Sequence, residues 1–183
     1  MATKDEIIYQ QKLVLAAQKD AKAFQALYEE FYEAIYYFIA ARVDYESDTD
    51  DICSQTFLKA MINLPKYRFK GLPFSAWLYR IAINEVNLFY RATKKSRAII
   101  IDEEAIPEMI VETESSYDQQ SIDLLIQSIH HLNPTEVELL ELRYFEKRSV
   151  REVAMILNMS EANVKVKCHR VIKKLKDYMQ RHD

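Results

Sequence analysis

The chain has 183 residues, of which 49% are hydrophobic and 29% charged, and it carries one glycine and four prolines. This balance excludes a disordered chain, and the length allows one large core or two small ones. A many-stranded sheet needs tight turns that glycine and proline supply, so their scarcity predicts a protein built from helices.

The net charge of -3 hides a strong segregation of charge along the chain. Lysine and arginine exceed the acids by seven in residues 66–97 and by four in residues 161–183. Residues 98–125 hold eight acids and neither lysine nor arginine. Binding to phosphates depends on local charge rather than on the total, so the two basic zones predict a nucleic-acid partner.

Hydrophobic spacing in the first half predicts helices at about residues 5–19, 21–43, 48–64 and 74–93. The second of these helices carries an apolar stripe of Phe24, Leu27, Phe31, Ile35, Phe38 and Ile39. Asp48 to Asp51 supply N-cap candidates for the third helix. Its inward face is expected to hold Ile52, Phe57, Ala60, Met61 and Leu64. The loop that follows combines three basic side chains with two aromatic rings, in the run Lys66, Tyr67, Arg68, Phe69 and Lys70.

The helical periodicity fails from residue 94 to about residue 120, where the acids and Pro107 predict a linker. A helix is expected at 119–131. Two further helix starts are indicated by capping boxes, Asn133 with Glu136 and Ser149 with Glu152.

The short helix from Ser149, a tight turn and a basic helix reaching about Met179 form a helix-turn-helix pattern, with Asn158 in the turn and Ser160 as the predicted cap of the second helix. The second helix of this motif enters the major groove of DNA. On spacing alone, a helical hairpin with a solvated basic face remains the alternative. The candidate DNA contacts are Arg151, Ser160, Glu161, Asn163, Lys165, Lys167, His169, Arg170, Lys173 and Lys174.

Several segments carry a resemblance to a known family. Leu132–Glu136, Leu142–Phe145, Ser149–Ala154 and Ser160–Arg170 resemble region 4 of the extracytoplasmic-function sigma factors, in the sigma-70 family. Asp50–Ala60 and Phe74–Asn84 are similar to region 2 of the same family. The resemblance implies an all-α protein of two small helical domains, with region 2 in 1–95, a flexible acidic linker in 96–119 and region 4 in 120–183.

The resemblance also implies a function. A sigma factor binds the β and β′ subunits of core RNA polymerase, directs the enzyme to promoter DNA and helps to open it. Region 4 would read the minus-thirty-five element. The helix after residue 48 would dock on polymerase through Asp50, Asp51, Gln55, Phe57 and Leu58, although plain core packing is the alternative for Phe57.

Region 2 would also read and melt the minus-ten element. Unstacked bases are held by aromatic faces within a positive groove, which suits the loop before the fourth helix. The candidate contacts are Tyr67, Arg68, Phe69, Lys70, Tyr79, Arg80, Asn84, Asn87 and Arg91, whereas Trp77 is expected in the core. The family usually has aspartate where this chain has Leu88, so the family's promoter preference is not carried over.

Other function classes find little support. Cys53 and Cys168 lack zinc-ligand spacing, and no phosphate-binding loop or catalytic triad stands out, so we expect no metal, no cofactor and no enzymatic activity. No apolar run of membrane-spanning length and no secretory pattern is present, so we expect a cytoplasmic protein without membrane insertion. A stand-alone helix-turn-helix regulator and a helical interaction protein without a DNA role remain alternatives. Whether an anti-sigma factor also binds is left open.

Overall fold

The computed structural model describes residues 3–93, 105–113 and 118–182, and these residues form helices and no strand. The predicted all-helical class is confirmed. The chain divides into two compact units, Met1–Ala98 with Met155–Asn158, and Ile99–Ala154 with Met159–Asp183.

The described residues 3–93 of the first unit form helices α1 (Lys4–Lys19), α2 (Phe24–Ala40), α3 (Glu46–Asn63) and α4 (Phe74–Thr93). Helices α2, α3 and α4 pack on one another, and α1 lies against α2 and α4. The apolar stripe predicted for α2 is confirmed, since its buried residues are Phe24, Leu27, Phe31, Ile35, Phe38 and Ile39.

Helix α3 differs from its prediction at its start and in its orientation. It begins at Glu46, so Asp48 lies in its first turn rather than at its cap. Met61 was expected to face inward but is 43% exposed, because the neighbouring Ala60 is fully buried and successive helical residues diverge by about 100 degrees. The buried face holds Thr49, Ile52, Cys53, Thr56, Phe57 and Ala60.

The second unit is built from shorter helices around one long one. These are α5 (Ile106–Glu112), α6 (Gln119–Ile129), α7 (Pro134–Leu140), α8 (Val150–Ile156) and α9 (Glu161–His182). A π-helical turn, Glu141–Phe145, continues α7. Helices α6 and α7 pack against α9, whose inward side chains are Val164, Val171, Ile172, Leu175 and Met179.

The stretch predicted as a linker contains helix α5, which the sequence pattern did not predict. Ile106, Met109 and Ile110 are buried, and α5 packs on α6. A helix of two turns is too short to show a clear helical period among acids and a proline. Residues 94–104 and 114–117, which make up most of the rest of that stretch, lie outside the described residues.

Both predicted capping boxes are present and fix where helices of the second half begin. The Asn133 side chain accepts the N–H of Glu136 at 3.0 Å, and the Glu136 carboxylate accepts the N–H of Asn133 at 3.0 Å. Ser149 and Glu152 exchange the same pair of bonds at 3.2 and 3.0 Å. Each box satisfies two N–H groups that a helix start otherwise leaves unpaired.

Candidate nucleic-acid interface

The turn between α8 and α9 has the backbone and the cap that a helix-turn-helix requires. Asn158 adopts a φ of 55°, the left-handed region that Asn tolerates better than most residues. The N–H of Met159 donates to the carbonyl of Ala154 at 2.8 Å and closes the turn. The Ser160 hydroxyl accepts the N–H of Asn163 at 3.2 Å, which caps α9 as the sequence predicted.

Helix α9 presents a polar and mainly basic face to solvent over its first three turns. Lys167 is half-buried, and the other candidate contacts of the motif are exposed. These exposed residues are Arg151, Ser160, Glu161, Asn163, Lys165, His169, Arg170, Lys173 and Lys174. Because the first turns of α9 follow the capped turn directly, the candidates from Glu161 to Arg170 lie in the part of the helix from which the motif contacts base edges and phosphates.

A groove of about 720 Å³ runs beside this face within the second unit. Its positive lining comes from Arg143, Lys165, Lys173 and Lys176, and His169, Glu112 and Asp177 also line it. Cys168 lies in this groove, and burial raises the pKa of its thiol. The four cations of the lining suit the groove to binding anions.

Lys174 forms an ion pair with a side chain of another helix. Its Nζ lies 2.8 Å from the carboxylate of Glu136, which ties α9 to the first turn of α7. Burial acts to raise the pKa of Glu136, but hydrogen bonds from Lys174 and from the Asn133 backbone outweigh it and lower the pKa. Because this carboxylate already neutralises its charge, Lys174 is a weaker candidate for a phosphate contact than Lys165 or Arg170.

The loop between α3 and α4 exposes three of its four candidate DNA contacts. Arg68 and Lys70 are exposed, and the Phe69 side chain is 36% exposed. Tyr67 is instead 6% exposed, and its ring packs 5.3 Å from that of Phe74 and 4.9 Å from that of Trp77. The expectation that the Tyr67 ring is available to stack on a base is wrong in this conformation.

Helix α4 offers the remaining candidates of this region. Asn84 and Arg91 are exposed, and Arg80 and Asn87 are half-buried. Tyr79 was expected on the polar side but is buried, with its ring 4.6 Å from that of Phe38 on α2. The reason is that α4 packs against α1, α2 and α3, which buries a broader face than its apolar stripe indicates.

The candidate docking face of α3 is exposed at Asp50, Asp51, Gln55 and Leu58. Phe57 is 4% exposed and packs against Tyr28, with ring centroids 4.8 Å apart, so core packing is confirmed and direct contact with a partner is wrong for this side chain.

Sequence reasoning missed one residue of this face. Ile62 is 63% exposed, and it falls on the same side as Asp51, Gln55 and Leu58 at helical three-and-four spacing. The sequence could have indicated this, because Ile62 does not fall at three-and-four spacing from the inward residues of α3, such as Ile52 and Phe57. An exposed isoleucine beside an exposed leucine gives the face an apolar centre.

The described residues offer neither a metal site nor a membrane-spanning helix. Within residues 3–93, 105–113 and 118–182, histidines, cysteines and acids form no group of three or more that could hold a metal ion. None of the helices in these ranges is both long and apolar enough to cross a membrane.

Comparison with known proteins agrees with this arrangement of a helical first unit and a helix-turn-helix second unit. The Sigma-70 region 2 family model matches residues 27–96, and the Sigma-70, region 4 model matches residues 128–177. The ECF RNA polymerase sigma factor BldN of Streptomyces coelicolor is 29% identical over 172 residues, 90% of this chain and 63% of that protein. The ECF RNA polymerase sigma factor SigD of Mycobacterium bovis is 30% identical over 132 residues, 70% of this chain and 61% of that protein.

The chain thus spans a little over three fifths of the length of these two relatives. The solved structure of CnrH in complex with the cytosolic domain of CnrY has the same fold, with a TM-score of 0.61 and 22% identity over 95% of this chain and 99% of that chain. The molecule is a helix-turn-helix protein of two helical units. It belongs to the sigma-70 family of RNA polymerase sigma factors, in the extracytoplasmic-function group.

Proposed function

We propose that the chain binds core RNA polymerase, directs it to promoter DNA and promotes opening of the promoter. The observation that carries this proposal is the capped turn at Asn158–Ser160 followed by an exposed basic face on α9, in a chain that also matches region 2. A stand-alone regulator would need the helix-turn-helix but would leave the exposed face of α3 and the basic loop without a role.

Regions 2 and 4 have different roles in this proposal. Region 2, in residues 1–95, binds polymerase and reads the minus-ten element, and region 4, in residues 120–183, reads the minus-thirty-five element. The acidic residues between them are repelled by DNA phosphates, which favours a path along a basic surface of polymerase rather than along the promoter. Phosphate contacts by Lys165 and Arg170 would position region 4 on the duplex, and polar side chains such as Asn163 would contact base edges.

The polymerase-docking face is formed by Asp50, Asp51, Gln55, Leu58 and Ile62 on α3. Its apolar centre and acidic edge suit a partner surface that carries an apolar patch flanked by cations. Phe57 acts from beneath this face, because its ring supports α3 against Tyr28 of α2.

The minus-ten contacts come from the loop and from α4. Arg68 and Lys70 supply positive charge to hold the backbone of a separated strand, and Phe69 supplies an exposed ring on which a base can stack. Arg80, Asn84, Asn87 and Arg91 extend this surface along α4. The chain itself carries out no chemical step in this proposal, since polymerase makes the RNA, and it acts in the cytoplasm.

Transcription in vitro tests the proposal. Purified core polymerase is given genomic fragments with and without the chain, and start sites are mapped from the run-off products. New start sites that appear only with the chain are expected. Absence of start-site selection, or no binding to core polymerase in a pull-down, would contradict the proposal and favour a stand-alone regulator.

A matched pair of variants tests the docking face in the same pull-down. Leu58→Glu places a charge in the apolar centre of the docking face, and Leu15→Glu places one on α1 at similar exposure, 44% against 49%. Leu58→Glu should lower the affinity for core polymerase, and Leu15→Glu should not.

A further inference from the structure

Helix α1 precedes the residues matched by Sigma-70 region 2, yet two of its glutamines hold both ends of the loop that carries Arg68, Phe69 and Lys70. The Gln18 amide donates to the carbonyls of Leu64 at 2.9 Å and Tyr67 at 3.0 Å. The Gln10 side-chain oxygen accepts the N–H of Phe74 at 2.8 Å.

The chemical role of each glutamine is fixed by its partner. Backbone carbonyls only accept and a backbone N–H only donates, so Gln18 must present its NH₂ group and Gln10 its oxygen. The N–H of Phe74 belongs to the first residue of α4, where no carbonyl of the same helix can reach it. Gln10 therefore acts as an N-cap supplied by another helix.

The segment between these two anchors has little regular structure of its own. A single turn of 3-10 helix, Leu64–Lys66, is followed by residues without regular structure up to Pro73, with a bend at Gly71, whose φ is 68°. The Tyr67 carbonyl that Gln18 holds also accepts from the Arg68 guanidinium at 3.1 Å. The position of a candidate DNA contact is thus linked directly to a side chain of α1.

The Tyr67 side chain shows that this loop conformation depends on more than its own packing. Its hydroxyl is buried without a hydrogen-bond partner among the described residues, which disfavours the observed position of the ring. The bond from Gln18 to the Tyr67 carbonyl opposes this tendency, since it holds the backbone of the same residue.

We propose that Gln10 and Gln18 are positioning residues for promoter opening: by fixing both ends of the loop, they hold it in the shape that presents Arg68, Phe69 and Lys70 to the minus-ten strand. The inference rests on the proposed function and extends the minus-ten site to α1. Neither glutamine contacts DNA.

Isosteric substitutions give opposite expectations at the two positions. Gln18→Glu replaces the donor by a carboxylate that faces two carbonyl oxygens, so the loop is released. Gln10→Glu keeps an acceptor for the Phe74 N–H and places a negative charge at a helix N-terminus, where it is favourable. Gln10→Leu has no acceptor. Gln18→Glu and Gln10→Leu should slow promoter opening about three- to tenfold. Gln10→Glu should open promoters at the wild-type rate, because it keeps the acceptor.

Opening is measured with the full chain and core polymerase, as permanganate reactivity of promoter thymines, and closed-complex formation is measured separately by footprinting. Gln25→Ala serves as the control, because the Gln25 amide donates to the exposed Glu29 side chain on the same helix, at 2.7 Å, and does not hold the loop. Closed complexes should form equally with every variant. Opening by Gln18→Glu at the wild-type rate, or a Gln10→Glu variant as slow as Gln10→Leu, would overturn the inference.

Hydrogen exchange of the free chain provides a readout that needs no polymerase. Amides of residues 67–72 and 74 should exchange faster in Gln18→Glu than in wild type and Gln25→Ala. Gln18→Ala provides the same comparison if the charged variant folds poorly. Unchanged exchange in both Gln18 variants would contradict the positioning role. If the wild-type chain opens no promoter, the proposed function fails; if wild type and Gln18→Glu open promoters equally, only this inference fails.

Discussion

The ammonium group of Lys59 on α3 lies 2.7 Å from both carboxylate oxygens of Glu85 on α4. The Glu85 side chain is 10% exposed and that of Lys59 is 42% exposed. A carboxylate this far from water needs a partner, because its desolvation otherwise goes uncompensated. The pair therefore joins α3, which carries the proposed docking face, to α4, which carries several of the proposed minus-ten contacts.

Removing the lysine should destabilise the first unit. Lys59→Met leaves the Glu85 carboxylate buried without its cation, and we expect a loss of about 1 to 2 kcal/mol in the free energy of unfolding. This is less than for a fully buried pair because Lys59 reaches solvent. Urea unfolding followed by circular dichroism measures the change. Lys12→Met, at an exposed site on α1, is the control, and equal midpoints for both variants would contradict the prediction.

Two tyrosines of the first unit should respond in opposite directions to loss of the hydroxyl. The Tyr67 hydroxyl is buried without a partner among the described residues, and burial raises its pKa to about 12. The Tyr90 hydroxyl donates to the Arg42 carbonyl at 2.6 Å. Tyr67→Phe should raise the free energy of unfolding by about 1 kcal/mol, and Tyr90→Phe should lower it by about as much. Denaturant titration checks both, and destabilisation by Tyr67→Phe would show that its hydroxyl has a partner.

The basic face of α9 should make the affinity for upstream promoter DNA depend on salt concentration. Lys165→Ala and Arg170→Ala should each weaken binding to upstream promoter DNA, and removing one cation from a phosphate should reduce the slope of log affinity against log salt by about 1. Fluorescence anisotropy at several salt concentrations, with the holoenzyme and a labelled upstream duplex, provides both numbers. Lys174→Ala should change the slope less, because Lys174 is paired with Glu136. Identical slopes for wild type, Lys165→Ala and Arg170→Ala would argue against the assignment of this face.

Phe69 should matter for opening rather than for initial binding. Its ring is 36% exposed on the loop, and truncating it to alanine removes a stacking surface for a separated strand without opening a cavity in the core. Phe69→Ala should reduce permanganate reactivity in the open complex several-fold and leave the closed-complex footprint unchanged. Tyr67→Ala is unsuitable for the same test because the Tyr67 ring is part of the core. Equal loss of the closed complex with Phe69→Ala would contradict the separation.

Acid should weaken the second unit through Glu136. The pKa of Glu136 in the folded chain is lowered from its ordinary value of 4.5, so the folded state favours the charged form. The resulting stabilisation is complete above the unfolded pKa and is lost as the pH falls through the folded pKa. Glu136→Gln keeps a side-chain oxygen that accepts the N–H of Asn133, but the glutamine side chain does not ionise. Its urea midpoint should depend less on pH below 4.5 than that of wild type, and parallel curves would refute the role of this carboxylate.

The sequence by itself determined the helical class, the bounds of α4, the buried stripe of α2 and the caps at Asn133, Ser149 and Ser160. These features depend on interactions within a few residues, namely helical period, proline placement and side-chain capping, which the order of residues records directly. The two family segments were visible for the same reason, since their motifs are contiguous.

Only the tertiary structure decided which aromatic rings are accessible. Tyr67, Tyr79 and Phe57 are buried because neighbouring helices pack against them. The width of a helix's buried face depends on this packing and not on the hydrophobic period of that helix alone. The bonds from Gln10 and Gln18 to the loop join residues 46 to 64 positions apart. A glutamine that acts through one hydrogen bond to distant backbone leaves no local pattern, so its role emerges only when the fold brings the two segments together.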